Sequence, residues 1–341
     1  MIDRVRIVFM GTPDFAVPSL HNLVREAPGR GWQVVGVVCQ PDRPVGRGGR
    51  VQAPPVRRAA MELGIEVYQP ERMRDAEAQE WLRGHRPDAL AVVAFGQILP
   101  QAVFNLPRFG AINAHASLLP AYRGAAPIQW AIANGERETG VTTMQIDAGL
   151  DTGAMLLRRS VAIGPETTAP ELSGRLALVA AELMVQTLTQ IERGGLHPVP
   201  QPDAGSSLAP RLQRRDGVVD WASSAVQIYN RWRGFQPWPG LHTQFRGQQL
   251  ALLRCHAEPG GPQGEPGTLV EIAGTPVVIC GCGVLWLEEV RAEGRQALSG
   301  ADFARGARIR WGHEQLGGHQ RPDAKRRPGW VGAPGPPPSE A

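Results

Sequence analysis

Two regimes of apolar patterning divide this chain, and they meet in a proline-rich stretch between residues 196 and 213. Ahead of it, short β-branched or continuous apolar runs alternate with segments whose apolar residues recur three and four apart. That is the strand-then-helix rhythm of an open α/β sheet. The runs at 6–11, 32–40, 66–68, 89–95, 142–146 and 154–161 read as strands. Segments 14–25, 56–63, 76–82, 127–133 and 169–193 read as helices, the first with Asp14 as its amino-terminal cap and the last stopped by Gly194-Gly195. Ala89 to Phe95 contains no polar residue, as expected of a strand covered on both faces. The turn after the first strand holds one glycine, Gly11, where a pyrophosphate-binding turn needs three. A nicotinamide-dependent dehydrogenase is therefore disfavoured, although the βαβ opening is of the dinucleotide-fold kind.

Beyond residue 213 the pattern changes to one helix, 223–233, followed by five short alternating runs at 242–245, 249–255, 268–271, 276–282 and 284–289. Short strands joined by Gly-rich turns predict a small β-barrel. The expected organisation is a first domain over 1–195, a linker over 196–213, a second domain over 214–316 and a disordered Pro/Gly-rich tail over 317–341. Trp232, Phe235 and Trp238 lie close together beside Pro237 and Pro239. They suit packing better than a base-stacking platform, and both readings stay open.

Composition adds less than placement. Of the 36 basic residues only Lys325 is a lysine, so the abundance of arginine is compositional and carries little weight. Between Gln40 and Arg58, however, five arginines face the single acid Asp42, a surplus of four that equals the formal net charge of the whole chain. Residues 40–55 hold almost no apolar residue and are too long for an ordinary βα connection. They read either as a solvated loop or as a mobile arm whose Arg43, Arg47 and Arg50 reach phosphates. No run of about 18 apolar residues exists, and the charged lead into the first strand is unlike a signal peptide, so a cytoplasmic protein with no membrane partner is expected. Cys39, Cys255, Cys280 and Cys282 lack paired metal-ligand spacing; reduced thiols and no metal are expected.

Candidate chemistry gathers between Phe109 and Gly153. Asn113 and His115 are two apart in a strand-like run and so leave the same face, near the carboxyl end where open α/β sheets form ligand crevices. Asp151, in the loop Gly149-Leu150-Asp151-Thr152-Gly153, can orient the imidazole and hold its positive form. On residue types alone a turn cap, a half-buried histidine and an ordinary Asx turn explain these three as well. Asp147 is the rival carboxylate.

The stretch Asn113-Ala114-His115-Ala116-Ser117-Leu118-Leu119-Pro120, the following Arg123-Gly124-Ala125-Ala126-Pro127 and the 149–153 loop resemble the formyltransferases that use 10-formyltetrahydrofolate. Within them the likeness is to the methionyl-tRNA formyltransferase family. It extends to Arg6–Phe15, to Gln40–Gly48 and to Phe235-Gln236-Pro237-Trp238-Pro239-Gly240, covering roughly residues 4 to 315. Ala116 departs from it, since the family often has glycine there.

The resemblance implies a Rossmann-like formyltransferase domain followed by a smaller OB-like β-barrel domain that helps bind tRNA. It implies transfer of a formyl group from 10-formyltetrahydrofolate to the amino group of methionyl initiator tRNA, with no metal, by a chain expected to be monomeric. Asn113, His115 and Asp151 would be catalytic; Phe95, Gly96, Ser117, Leu118, Leu119 and Pro120 would border the folate; Arg43, Arg47 and Arg50 would contact the acceptor stem. Arg123 is read either as an anion contact or as a pin for its own turn. Two rivals are a formyltransferase for a small amine and an RNA-binding protein without activity on the same scaffold. The basic loop and second domain argue against the first, and the intact triad against the second.

Overall fold

The computed structural model describes residues 4–45 and 49–317, so Arg47 and all but the first residue of the tail expected to be disordered lie outside the described residues. In chain order the first elements are β1 (Val5–Gly11), α1 (Val17–Arg30), β2 (Trp32–Val38), β3 (Arg43–Val45), β4 (Arg50–Gln52), α2 (Pro55–Glu62) and β5 (Val67–Tyr68). There follow α3 (Ala76–His85), β6 (Ala89–Val93), α4 (Gln101–Phe104), β7 (Ala111–His115), α5 (Pro127–Ala133), β8 (Glu138–Gln145), β9 (Met155–Ala162) and α6 (Ala169–Glu192). The rest comprises α7 (Ala225–Gly234), β10 (Leu241–Phe245), β11 (Gln248–Glu258), β12 (Leu269–Ile272), β13 (Thr275–Ile279), β14 (Val284–Ala292), β15 (Leu298–Ser299) and α8 (Gly300–Ala307).

By its contacts the chain forms two compact units, and the division is not contiguous in sequence. Within the described residues the first takes 4–127, 138–162 and 171–208, and the second takes 128–137, 163–170 and 209–317. The first is built on a seven-stranded sheet of order β5-β2-β1-β6-β7-β8-β9. Its strands run parallel from β5 to β7 and antiparallel from β7 through β8 to β9. The continuous apolar runs predicted the central strands: β6 is buried along its whole length, and Ile7, Phe9 and Met10 of β1 are fully buried. Each such side chain contributes about 1.5–3 kcal/mol by leaving water. From β1 the chain winds outward to β2 and β5, then crosses back to β6 and β7. Strand order therefore reverses between β1 and β6, and the crevice outside their carboxyl ends is the expected ligand position.

Two local expectations are corrected. Asp14 does not cap α1: it opens a short 3-10 turn, Asp14–Ala16, and the helix starts at Val17 with no side-chain cap. Pro18 sits in the first helical turn, where a missing N–H costs nothing, and α1 runs to Arg30 before Gly31 closes it at φ 70. The basic stretch after β2 is not a featureless loop but an antiparallel hairpin, with Arg43 opposite Gln52, Pro44 opposite Val51 and Val45 opposite Arg50. Strands of three residues are too short to show a two-residue period.

Residues 196–208 pair with the first unit: Val199 and Met155 exchange both backbone hydrogen bonds at 2.8 Å, and Leu208 bridges Arg123. The second unit holds an antiparallel sheet of order β10-β11-β14-β13-β12, with β15 added beside β14. No ladder joins β10 to β12 among the described residues, so the predicted barrel is open. α7 packs on β11 and β14, and its entry is fixed by a capping box between Ser224 and Gln227. Of the three aromatic residues at the end of α7, Phe235 is fully buried edge-on to Trp130, Trp232 stacks on Tyr229, and Trp238 is left 55% exposed. No helix of the described residues is long and apolar enough to cross a membrane.

Candidate active site

β7 lies between parallel β6 and antiparallel β8, and its last residue, His115, is paired with Thr142. Alternation along β7 sends Asn113 and His115 to one face. The His115 ring is 6% exposed and is held from both sides. Nε2 lies 2.8 Å from the Tyr122 carbonyl, which only accepts, so that nitrogen carries a proton. Nδ1 faces Asp151 Oδ2 at 3.6 Å, an ion-pair distance longer than a hydrogen bond. Asn113 is half-buried, and its carboxamide has no hydrogen-bond partner among the described residues.

Asp151 stands in the left-handed backbone region at φ 52, which an aspartate tolerates better than most residues. Its Oδ2 accepts from the Gly124 N–H at 2.8 Å, fixing the carboxylate beside the ring. Asp147 faces away: its carboxylate accepts from Gly149 N and Thr152 Oγ1 inside its own loop. Gly153 needs to be glycine, because a Cβ there would lie 1.8 Å from the Gln145 carbonyl.

At the strand-order reversal, Thr12 Oγ1 donates to the Phe95 carbonyl at 2.8 Å. Gln40 Nε2 donates to the carbonyls of Phe95 at 3.2 Å and Gly96 at 3.0 Å. Gly96 has φ 81, and a Cβ on it would stand 2.3 Å from Gln40 Nε2. Phe95 itself is buried in the core, while Ile98 is 92% exposed beside it. In the following segment Ser117 and Leu119 are fully buried; Ser117 Oγ donates to the Ala121 carbonyl, and Thr142 Oγ1 donates to the Ser117 carbonyl and accepts from Leu119 N. Leu118 and Pro120 keep partial exposure, so any ligand contact from this segment falls to them and the backbone. Ala116 is buried within the turn.

Arg43 and Arg50 stand exposed on the hairpin. Arg57, counted in the basic surplus, is committed to an ion pair with Asp42. The hydrogen bond from Gln69 and that from Arg57 hold the Asp42 carboxyl below the usual carboxylate range. Arg123 Nε donates to Gln201 Oε1 at 2.9 Å, which ties its segment to the stretch after α6.

The residues that sequence reasoning did not single out act through backbone or long-range bonds: the Tyr122 carbonyl, the Gly124 amide, Thr12 and Gln201. Among the described residues no group of three or more His, Cys, Asp or Glu side chains could hold a metal ion.

Residues 5–188 match the Formyl transferase family, and residues 211–308 match the Formyl transferase, C-terminal domain family. A methionyl-tRNA formyltransferase of Solibacter usitatus is 51% identical over 317 residues, 92% of this chain and 100% of that protein. The methionyl-tRNA formyltransferase of Geobacter metallireducens is 48% identical over 312 residues, 90% of this chain and 98% of that protein. A solved structure of WlaRD, a sugar 3N-formyl transferase in the presence of dTDP and 5-N-formyl-THF, has the same fold with a TM-score of 0.62 at 16% identity. It covers 86% of this chain and 100% of that chain. With both family regions present in order and half the residues identical along the whole length of such relatives, the chain belongs to the methionyl-tRNA formyltransferase family.

Proposed function

We propose that this protein transfers the formyl group of 10-formyltetrahydrofolate to the amino group of methionyl initiator tRNA, giving N-formylmethionyl-tRNA. The observation that carries the reading is the meeting of His115 Nδ1 with Asp151 Oδ2 at 3.6 Å, on the strand face that also bears the unpartnered Asn113 amide. 10-Formyltetrahydrofolate supplies an amide-like formyl carbon when bound. Asn113 donates an N–H to the formyl oxygen, where negative charge develops as the amine attacks. His115 is fixed by its Nε2–H bond to Tyr122, which leaves Nδ1 as the position from which a proton reaches the departing nitrogen. Asp151 faces Nδ1 through Oδ2, where a carboxylate stabilises the ring whenever it is protonated, while its Oδ1, without a hydrogen-bond partner among the described residues, is open to the proton of the attacking amine.

Phe95, Gly96, Leu118 and Pro120 would border the folate, with Ser117 and Leu119 shaping the turn from beneath. Arg43, Arg47 and Arg50 would meet the acceptor stem, and the second unit would add tRNA contacts with a net charge of only +2 over residues 214–313. The protein would act in the cytoplasm as a monomer. The test offers purified protein 10-formyltetrahydrofolate with charged initiator tRNA, charged elongator tRNA and amino sugars. Formylation of the initiator species alone is expected; formylation of amino sugars alone would replace this reading with the small-amine one.

A further inference from the structure

Gln201 lies in the proline-rich stretch that the sequence marked as a linker, yet its side chain is half-buried and makes more bonds than any neighbour there. Its Nε2 donates to the Asp151 carbonyl at 2.8 Å and to the Gly153 carbonyl at 2.7 Å. Its Oε1 accepts from Arg123 Nε at 2.9 Å. One carboxamide thus spans the two ends of the turn that carries Asp151 and ties it to the segment whose Gly124 N–H holds the same carboxylate. The backbone needs such a clamp. Asp151 at φ 52 is in a region that costs free energy for a non-glycine residue, and the loop around it is exposed from Ala148 to Leu150. Val199 and Met155 hold the stretch against β9, which fixes where the carboxamide can reach.

We infer that Gln201 is a positioning residue for formyl transfer: by clamping both ends of the 151–153 turn through two N–H donors, it holds the Asp151 carboxylate in register with His115. The inference rests on the proposal that Asp151 and His115 carry out the transfer. Gln201 touches neither substrate nor reacting atoms. Its effect passes through a carboxylate whose displacement by about 1 Å is enough to slow a reaction by ~10²-fold.

Gln201→Glu separates this role from packing. The variant keeps the size of the side chain and strengthens the bond to Arg123, but it has no N–H donors and sets an anion against two carbonyl oxygens. Both Gln201→Glu and Gln201→Ala are expected to lower single-turnover formylation by roughly 10- to 100-fold. The KM values should stay close to wild type, while the melting temperature falls because the Asp151 and Gly153 carbonyls lose their donors. The same change made in an Asp151→Asn background should cost under about 3-fold, because two residues acting through one group are not additive. Wild-type rates in Gln201→Glu, or a full additional loss on Asp151→Asn, would overturn the inference. Should Gln201→Ala fail to fold, Gln201→Glu and its combination with Asp151→Asn still decide the matter. An unmodified protein that formylates no tRNA would instead remove the proposed function, leaving the two failures distinct.

Discussion

The hydroxyl of Thr12 donates to the carbonyl of Phe95 at 2.8 Å, tying the carboxyl end of β1 to the segment that leaves β6 where strand order reverses. Gln40 reaches the same carbonyl from the end of β2. Three strands thus converge on one backbone oxygen, and the Gly96 turn beside it has a fixed shape before any ligand arrives.

That rigidity predicts the behaviour of Gly96→Ala. A methyl group 2.3 Å from Gln40 Nε2, at φ 81, forces the glutamine away and strains the turn. A loss of about 1–3 kcal/mol in denaturant unfolding is expected, with weaker binding of folate analogues. Unfolding curves and a folate titration of the variant measure both.

His115→Ala and Asp151→Asn are expected to lower single-turnover formylation by ~10²–10⁴, the usual cost of losing an acid–base group or a charge that stabilises it. Because His115 is buried and Asp151 lies in a surface turn, tRNA affinity should stay within a few-fold in both variants. Near-normal turnover in either one would end the assignment of these two residues to the chemistry.

Arg43→Ala with Arg50→Ala removes up to two phosphate contacts from the hairpin. Each is expected to reduce the slope of log affinity for tRNA against log salt by about 0.7–0.9. Folate affinity should not move. An unchanged slope with weakened folate binding would instead make the hairpin a cover for the folate site.

The base of the hairpin should respond to acid. Gln69 and Arg57 favour the charged form of Asp42, so its folded pKa lies below the unfolded value of about 3.9. Its contribution is therefore complete above that value and is lost as pH falls through the folded pKa. Wild type should melt above Asp42→Asn at neutral pH, and the gap should close below about pH 4. A gap that persists at lower pH would show that the pair matters through shape alone.

Thiol chemistry gives a further check on packing. Burial pushes the thiols of Cys39 and Cys280 up to about 12 and raises that of Cys255 further, whereas Cys282 is exposed. Iodoacetamide at mildly alkaline pH should label Cys282 in the native protein and the other three only after unfolding, as mass spectrometry of digests would read.

The sequence exposed those features that depend on composition over several residues. β1 and β6 were legible because strands buried on both faces leave uninterrupted apolar runs, whereas the capping box between Ser224 and Gln227 at the α7 entry was not read from the sequence. Asn113 and His115 could be placed on one face from their spacing alone. The hairpin escaped notice because its strands are three residues long and begin beside prolines and glycines, and the Asp14 turn because an acid before a helix looks like a cap whether or not it bonds. Tyr122 and Gly124 serve the site through main-chain atoms, which no side-chain pattern reveals. Gln201 is one amide among prolines, and its meaning depends on contacts 50 and 78 residues away in sequence.

The exchange of hydrogen bonds between Val199 and Met155 places the chain just past α6 inside the first unit rather than between two bodies. Dissection at the end of that helix, after residue 195, would therefore give a fragment that keeps Asn113, His115 and Asp151 while cutting away the strand partner and amide that brace their loop. During synthesis from the amino end the same order holds. A nascent chain contains every proposed reacting group fifty residues before Gln201 is added to it.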